Sequence, residues 1–458
     1  MISAVGERLS RWSERFMPDP FVLVLLLTVV TAGVAMLWGA EVQGMGPVER
    51  GAAVGDYWFS RFYDVGLMRF ALQMVLVLVL GHALAMSTPV QQGIRRLAQV
   101  VVTPGAAVVV VALVACLASL VQWGLGAIAG AFMAREMGRA FADQGRAVHY
   151  PLLGAAGYAG FLIWHGGLSG TAPVTVAQEE HDLVEVLGQI PVTETLFSEL
   201  NLIVTGSLLV IIPLVFWLLT PKDREAMVGI DDSRFDEQQR FEVPEPSATA
   251  HPVIQTLEGS RILNLVVGGA MLAVMVGYFV DRGSGGWHLD SLNMMFLTLG
   301  VLAHPSPASY LAAIADGVRG AAGIILQFPF YFGILGILAG SGMISQIAEF
   351  FVSVSTEQTY PIFTFISAGI VNFFVPSGGG QWAVQGPVMM EAIEELGVAP
   401  HKAIMALAYG DAWTNMLQPF WALPLLGIMG LRARDIIGYT GLVFMISGPW
   451  IILLLFLF

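Results

Sequence analysis

Long stretches without a charged residue alternate along this chain with short polar segments. Phe21–Ala40, Asn201–Thr220, Ile262–Val280, Gly320–Gly340 and Ile436–Phe458 carry no charge, Val65–Ser87 carries only Arg69, and Leu289–Ala303 only Asp290. About 20 apolar residues let a helix cross a bilayer. The pattern therefore predicts a polytopic all-α membrane protein.

Two further charge-free runs, Thr103–Ala134 and Tyr360–Met390, are too long for one ordinary crossing. Arg95 and Arg96 precede the first, and Arg135, Arg139 and Arg146 follow it, so both of its ends read as cytoplasmic. Glu349 and Glu357 precede the second, and Glu391, Glu394 and Glu395 follow it. No Lys or Arg occurs between Ser341 and His401, so both of its ends read as external. Each run is expected to be a re-entrant hairpin. Tyr150–Gln178 and Ala403–Gly430 read as crossings broken by Gly and Pro.

Charge and parity then predict two inverted repeats, each with a re-entrant hairpin and a broken transmembrane helix. The first is 1–220, with its hairpin at 103–134 and its broken helix at 150–173. An acidic cytoplasmic linker, 221–260, and an additional transmembrane helix, 261–281, follow. The second repeat is 282–458, with its hairpin at 360–390 and its broken helix at 403–426. Arg8, Arg11 and Arg15 place the N-terminus in the cytoplasm, and the parity places the C-terminus outside.

Composition narrows the function. Of 458 residues, 56% are hydrophobic and 12% charged, against about a quarter charged in soluble domains. A net charge of -13 excludes a basic nucleic-acid surface. The single cysteine, Cys116, excludes an internal disulfide or CxxC site. There is no GxxxxGK[ST] loop, HExxH pair or GxSxG elbow. Neither an enzyme nor a cofactor or metal is expected, and transport would draw on an ion or substrate gradient.

The candidate chemistry sits where helix rules fail at membrane depth. The first hairpin tip holds Trp123, Gly124 and Gly126, and the second holds Ser377, Gly378, Gly379, Gly380, Gln381 and Trp382. The broken helices hold His165, Gly166, Gly167 and Ser169, and Asp411, Thr414 and Asn415. Irregular backbone survives there only if buried in protein or lining a polar cavity. Broken helices offer N–H groups to anions and free carbonyls to cations. These residues are therefore the expected substrate site, with Asp411, Asn415 and Ser377 serving the coupling ion. Close helix packing is the competing reading of the glycines. His82 is expected to be a packed histidine.

MPDPFVLVLLLT, WHGGLSGTAP, VPSGGGQWAVQGP and GDAWTNMLQPFWALP resemble segments of the bacterial short-chain fatty acid transporters, the acetoacetate and butyrate permease type. The resemblance runs over nearly the whole chain. More distantly, that family is similar to the ion-transporter superfamily that includes the divalent anion:sodium symporters. The resemblance implies a homodimer in the bacterial cytoplasmic membrane, elevator-type movement, and a small carboxylate held beside a cation. The symporters' Ser-Asn-Thr tips are here QWGLG and PSGGGQW, so Na+ and H+ both stay open as coupling ion. Trp123 and Trp382 are expected to wall a short acyl chain. The alternatives are a dicarboxylate or larger organic-anion permease, a membrane-embedded acyltransferase-like enzyme using His165, and a passive anion channel.

Overall fold

The computed structural model describes residues 20–178, 183–230, 251–286, 289–374, 378–418 and 421–458. No strand occurs among the described residues. In chain order the helices are α1 (Pro20–Trp38), α2 (Pro47–Phe62), α3 (Val65–Ala85), α4 (Thr88–Val100), α5 (Pro104–Val121) and α6 (Trp123–Asp143). Then come α7 (Tyr150–Tyr158), α8 (Thr171–Thr175), α9 (Val184–Leu187), α10 (Glu199–Leu219), α11 (Pro252–Glu258) and α12 (Arg261–Arg282). The rest are α13 (Leu289–Ala303), α14 (Pro307–Gly320), α15 (Ala322–Gly340), α16 (Met343–Ser353), α17 (Tyr360–Phe374), α18 (Gly378–Leu396), α19 (Pro400–Thr414), α20 (Leu423–Met429) and α21 (Ala433–Leu457).

Six of these, α1, α3, α5, α10, α12 and α21, are long and apolar enough to cross a membrane. Their outward faces are greasy: Val29 is 71% exposed, Val210 65% and Val266 64%. So broad an apolar surface belongs against lipid. The helices start where side chains satisfy their first amides. Thr103 Oγ1 accepts from Ala106 N–H at 3.2 Å, and Ser198 Oγ from Asn201 N–H at 3.2 Å. α15 and α16 meet at 68°, and the corner is Gly342, whose φ of 76° suits glycine.

One order of elements occurs twice. A first helix and an amphipathic helix (α1–α2, α13–α14) precede an apolar helix with an amphipathic follower (α3–α4, α15–α16). A helix pair (α5–α6, α17–α18), a broken helix and a final long helix complete each set. The halves also exchange partners. Gly340 lies against the Tyr57 ring from α2, and Gly317 of α14 against His82 on α3.

The first pair is an antiparallel hairpin. Gly126 lies against Ser119, and Gly130 against Ala115. Its turn is Gln122 alone, extended at φ -159° and ψ 129°. The Gln122 side chain caps α6 by accepting from Leu125 N–H at 2.8 Å. Gly130 and Gly157 bring the backbones of α6 and α7 into contact, leaving no room for a Cβ on either.

Several boundaries differ from those read from charge. α6 continues past Ala134 to Asp143, because Glu136 neutralises its own turn by pairing with Arg139 at 3.1 Å and Arg95 at 3.4 Å. α18 continues through its acids to Leu396 and stops at Gly397, φ 70°. Within the linker, Pro252–Glu258 is a helix capped by His251, while 231–250 lie outside the described residues. The Arg8, Arg11 and Arg15 segment lies outside them too. The amphipathic helices α2, α4, α14 and α16 were invisible as apolar runs, because only one face of each is apolar.

Candidate functional site

The breaks in the two long segments come from their own sequences. After Tyr158 the chain runs through 3-10 turns at Ala159–Leu162 and Trp164–Gly166 before α8. After Thr414 it makes a 3-10 turn at Asn415–Leu417 before α20. Gly166, Gly167 and Gly170 lower helical stability in the first, and Pro424 starts the helix after the second.

A tyrosine on each segment braces the break of the other. Tyr158 Oη donates to the carbonyls of Asn415 at 2.9 Å and Gln418 at 3.1 Å. Tyr409 Oη donates to Asn201 Oδ1 at 3.0 Å, while Asn201 Nδ2 donates to the Gly166 carbonyl at 2.9 Å. The Asn415 and Gln418 carbonyls are thus held from the other half, and the Gly166 carbonyl by Asn201, which Tyr409 in turn holds.

Between these braces lie His165 and Asp411, whose side chains are 1% and 2% exposed, with Nε2 and Oδ1 3.2 Å apart. The distance is that of an ion pair, yet the angles leave His165 Nε2 without a formed hydrogen bond, and Asp411 Oδ2 has no partner. The contact is therefore close but unsaturated. Thr171 N–H donates to His165 Nδ1 at 3.3 Å. That assigns the acceptor role to Nδ1 and the proton of the neutral ring to Nε2, facing Asp411. Among the described residues no Lys or Arg pairs with Asp411.

Asn372 of α17 ties the second hairpin to this centre. Its Nδ2 lies 2.9 Å from each of the Asp411 carbonyl, Thr414 Oγ1 and Asn415 Oδ1. Gln418 Nε2 donates to the Asn372 carbonyl at 2.9 Å. Asn372 Oδ1, Gln418 Oε1 and Asp411 Oδ2 remain buried without partners. Oxygens of this type suit a hard cation. Among the described residues no three His, Cys, Asp or Glu side chains gather as metal ligands.

The second tip closes the centre. A Cβ on Gly378 would stand 2.8 Å from Thr171 Oγ1 and 2.9 Å from His165 Cε1. At the first tip, Ser169 Oγ accepts from Trp123 N–H at 3.1 Å, and the Leu168 amide donates to the Leu120 carbonyl at 2.7 Å. Ser169→Ala leaves that Trp123 amide unsatisfied. The expected loss of about 1–3 kcal/mol will appear as a lower thermal midpoint in detergent, and an unchanged midpoint counts against this bond.

The family model for short chain fatty acid transporters matches residues 1–458. The chain belongs to the short-chain fatty acid transporter family. A relative in Escherichia coli (strain K12), named as a short-chain fatty acid transporter, is 38% identical over 458 residues, covering 100% of both chains. One in Haemophilus influenzae with the same name is 35% identical over 454 residues, covering 97% of both. Among solved structures, the Alcanivorax borkumensis YdaH transporter is 15% identical, with TM-score 0.45 over 96% of this chain and 97% of that one. The Neisseria gonorrhoeae MtrF structure, described as illuminating a class of antimetabolite efflux pumps, is 16% identical, with TM-score 0.36 over 97% of this chain and 96% of that one.

In this short-chain fatty acid transporter family member, His165, Asp411, Thr414, Asn415 and Gly378 come together. Ser377 lies outside the described residues, and Gly380 is placed only as part of α18. Gly379 is exposed, and the nearest atom to a Cβ there is Thr171 Cγ2 at 3.8 Å. Gln381 is buried within its hairpin, donating to the Ala368 carbonyl at 2.9 Å. The other glycines meet protein: Gly124 meets Val77 and Leu292, Gly126 Ser119, Gly166 Thr205 and Asn201, and Gly167 the Leu120 backbone. Trp123 packs on Trp421 at 5.0 Å, whereas Trp382 lies in a separate apolar cluster with Tyr360 and Val176. His82 is buried and bonded to Asp316 at 2.8 Å. Asn372 and Asn201 lie outside the segments the sequence points to, and Thr171 and Gln418 lie inside them without being singled out. Their one signal is a polar residue inside or beside an apolar run.

Proposed function

We propose that this chain is a secondary active transporter of short-chain fatty acids, its substrates C4-type monocarboxylates such as butyrate or acetoacetate. The names of its relatives support the substrate class. The buried His165–Asp411 contact carries the reading, because it joins the broken segments of both halves beside the second hairpin tip. An acid at membrane depth marks an ion or proton path by default. Among the described residues no Lys or Arg pairs with Asp411, so in this reading a proton or a cation such as Na+ balances it. The carboxylate binds near Gly378 and Gly379, with Ser377 at the same tip. Asp411, Asn372, Asn415 and Gln418 serve the coupling ion.

In this reading the repeats are inverted, and the hairpins and broken helices move as an elevator in a homodimer. The protein lies in the bacterial cytoplasmic membrane, its N-terminus cytoplasmic and its C-terminus external. Uptake of radiolabelled butyrate and acetoacetate into proteoliposomes under imposed pH or Na+ gradients tests it. Accumulation against a concentration gradient is expected and excludes a channel. Preference for succinate would instead favour a dicarboxylate permease, and no uptake of any short acid would defeat the reading.

A further inference from the structure

A second polar feature lies away from His165 and Asp411, where α5 begins and α10 ends. A cavity of about 280 Å³ is lined by Arg146, Lys222 and Arg224, together with Gly105, Thr220 and Met227. One water needs only ~15 Å³ of such space, so the cavity takes a group far larger than a water. Among the described residues no acid lines it. Asp143, Asp223 and Glu225 are nearby in sequence but exposed to solvent.

The three cations are held differently. Arg146 is fixed by neutral partners: its Nη1 donates to Gln144 Oε1 at 2.9 Å, and its guanidinium stands 4.8 Å from the Phe141 ring centroid. Lys222 and Arg224 are exposed, on the segment that leaves α10. Pro104 and Gly105 also line the cavity, so the positive end of the 18-residue α5 adds to the field. All these features attract an anion.

The depth says which kind. Trp217, three residues before Thr220, is 53% exposed and stands against Gly105, and Val102 is 62% exposed. Exposed tryptophan marks the membrane–water boundary. Basic cavities between membrane helices at that level suit phosphate head groups. We propose that this cavity binds the phosphate of an anionic phospholipid, bridging the start of α5 to the end of α10. Since α5 is the first arm of the first hairpin, the lipid would steady that hairpin against α10.

The test is native mass spectrometry of the full-length protein in detergent, titrated with phosphatidylglycerol, phosphatidylcholine and inorganic phosphate. The wild type is expected to retain phosphatidylglycerol in preference to phosphatidylcholine. The combined variant Arg146→Gln, Lys222→Gln, Arg224→Gln is expected to bind it about 100-fold more weakly, from the contribution of each basic residue near a membrane surface. Met227→Glu keeps all three cations while adding an opposing charge, and is expected to weaken binding about tenfold. Lys222→Arg is expected to bind as the wild type does. Equal retention of phosphatidylglycerol by the wild type, the triple variant and Met227→Glu would overturn the proposal. Displacement of the lipid by millimolar inorganic phosphate would assign the site to a soluble anion and overturn it as well.

Discussion

Asp411→Asn is expected to abolish the dependence of uptake on the driving ion while substrate exchange across the membrane persists. The replacement is nearly isosteric, so the shape of the centre survives. What disappears is the capacity to take a proton or to neutralise a cation. The native carboxylate is 2% exposed, with Oδ1 3.2 Å from His165 Nε2 and Oδ2 unpartnered. The Thr171 amide donates to His165 Nδ1, and in the proposed reading the coupling ion balances the charge on Asp411. With no charge at 411, a gradient has nothing to act upon, and the accumulation ratio falls to one. Each tenfold of lost accumulation corresponds to about 1.4 kcal/mol of forfeited driving force. The measurement is uptake and counterflow in proteoliposomes with the ion gradient present or collapsed. Unchanged ion dependence in Asp411→Asn would make the acid structural.

The membrane class, the turn at Gln122 and the irregular turns after Tyr158 and Thr414 were legible in the chain because they rest on local chemistry. Charge-free runs announce membrane helices, and Gly and Pro within them announce breaks. QWGLG and WHGGLSGT fall at such breaks, as Gln122 and the turns around Trp164 demonstrate. Flanking charge was less dependable for boundaries. Glu136 pairs within and beside its own helix, which lets α6 run on through residues that would otherwise end an apolar segment. The centre itself was legible only as parts. His165 and Asp411 each stood out as a polar residue in an apolar setting, but their meeting depends on how two distant segments fold against one another. Asn372 shows the limit most clearly: one amide in SAGIVNFF gives no local sign that its Nδ2 will reach Asp411, Thr414 and Asn415. The glycines mislead in the opposite direction. Their small size is the same signal whether the neighbour is a ligand or the Leu120 backbone that Gly167 meets.

The consecutive glycines of the second tip separate those two uses. Gly378→Val is expected to lose uptake by about 100-fold or more, the scale of effect that follows from displacing a site by about 1 Å. Its Cβ would stand 2.8 Å from Thr171 Oγ1, 2.9 Å from His165 Cε1 and 3.0 Å from His165 Nε2. Thr171 and His165 are held together by the hydrogen bond from the Thr171 N–H to Nδ1, so neither yields without disturbing the other. The tip must therefore retreat, carrying α18 away from the centre. Gly379 next to it has open space, with Thr171 Cγ2 at 3.8 Å as its nearest neighbour. Gly379→Ala is accordingly expected to fold and transport within about tenfold of the wild type, a barrier change of ~1.4 kcal/mol. Gly379→Trp places a large ring in that space. It is expected to abolish uptake at normal expression and with an unchanged thermal midpoint. Uptake by the variants, normalised to purified protein, distinguishes the cases. Loss in Gly378→Val alone would mean that the tip is a packing device. Loss in Gly379→Trp as well, with the fold intact, would place the carboxylate at the tip. Normal uptake by Gly379→Trp would move the substrate elsewhere, and the unpartnered oxygens of Asp411, Asn372 and Gln418 would then mark an ion site without an adjacent anion.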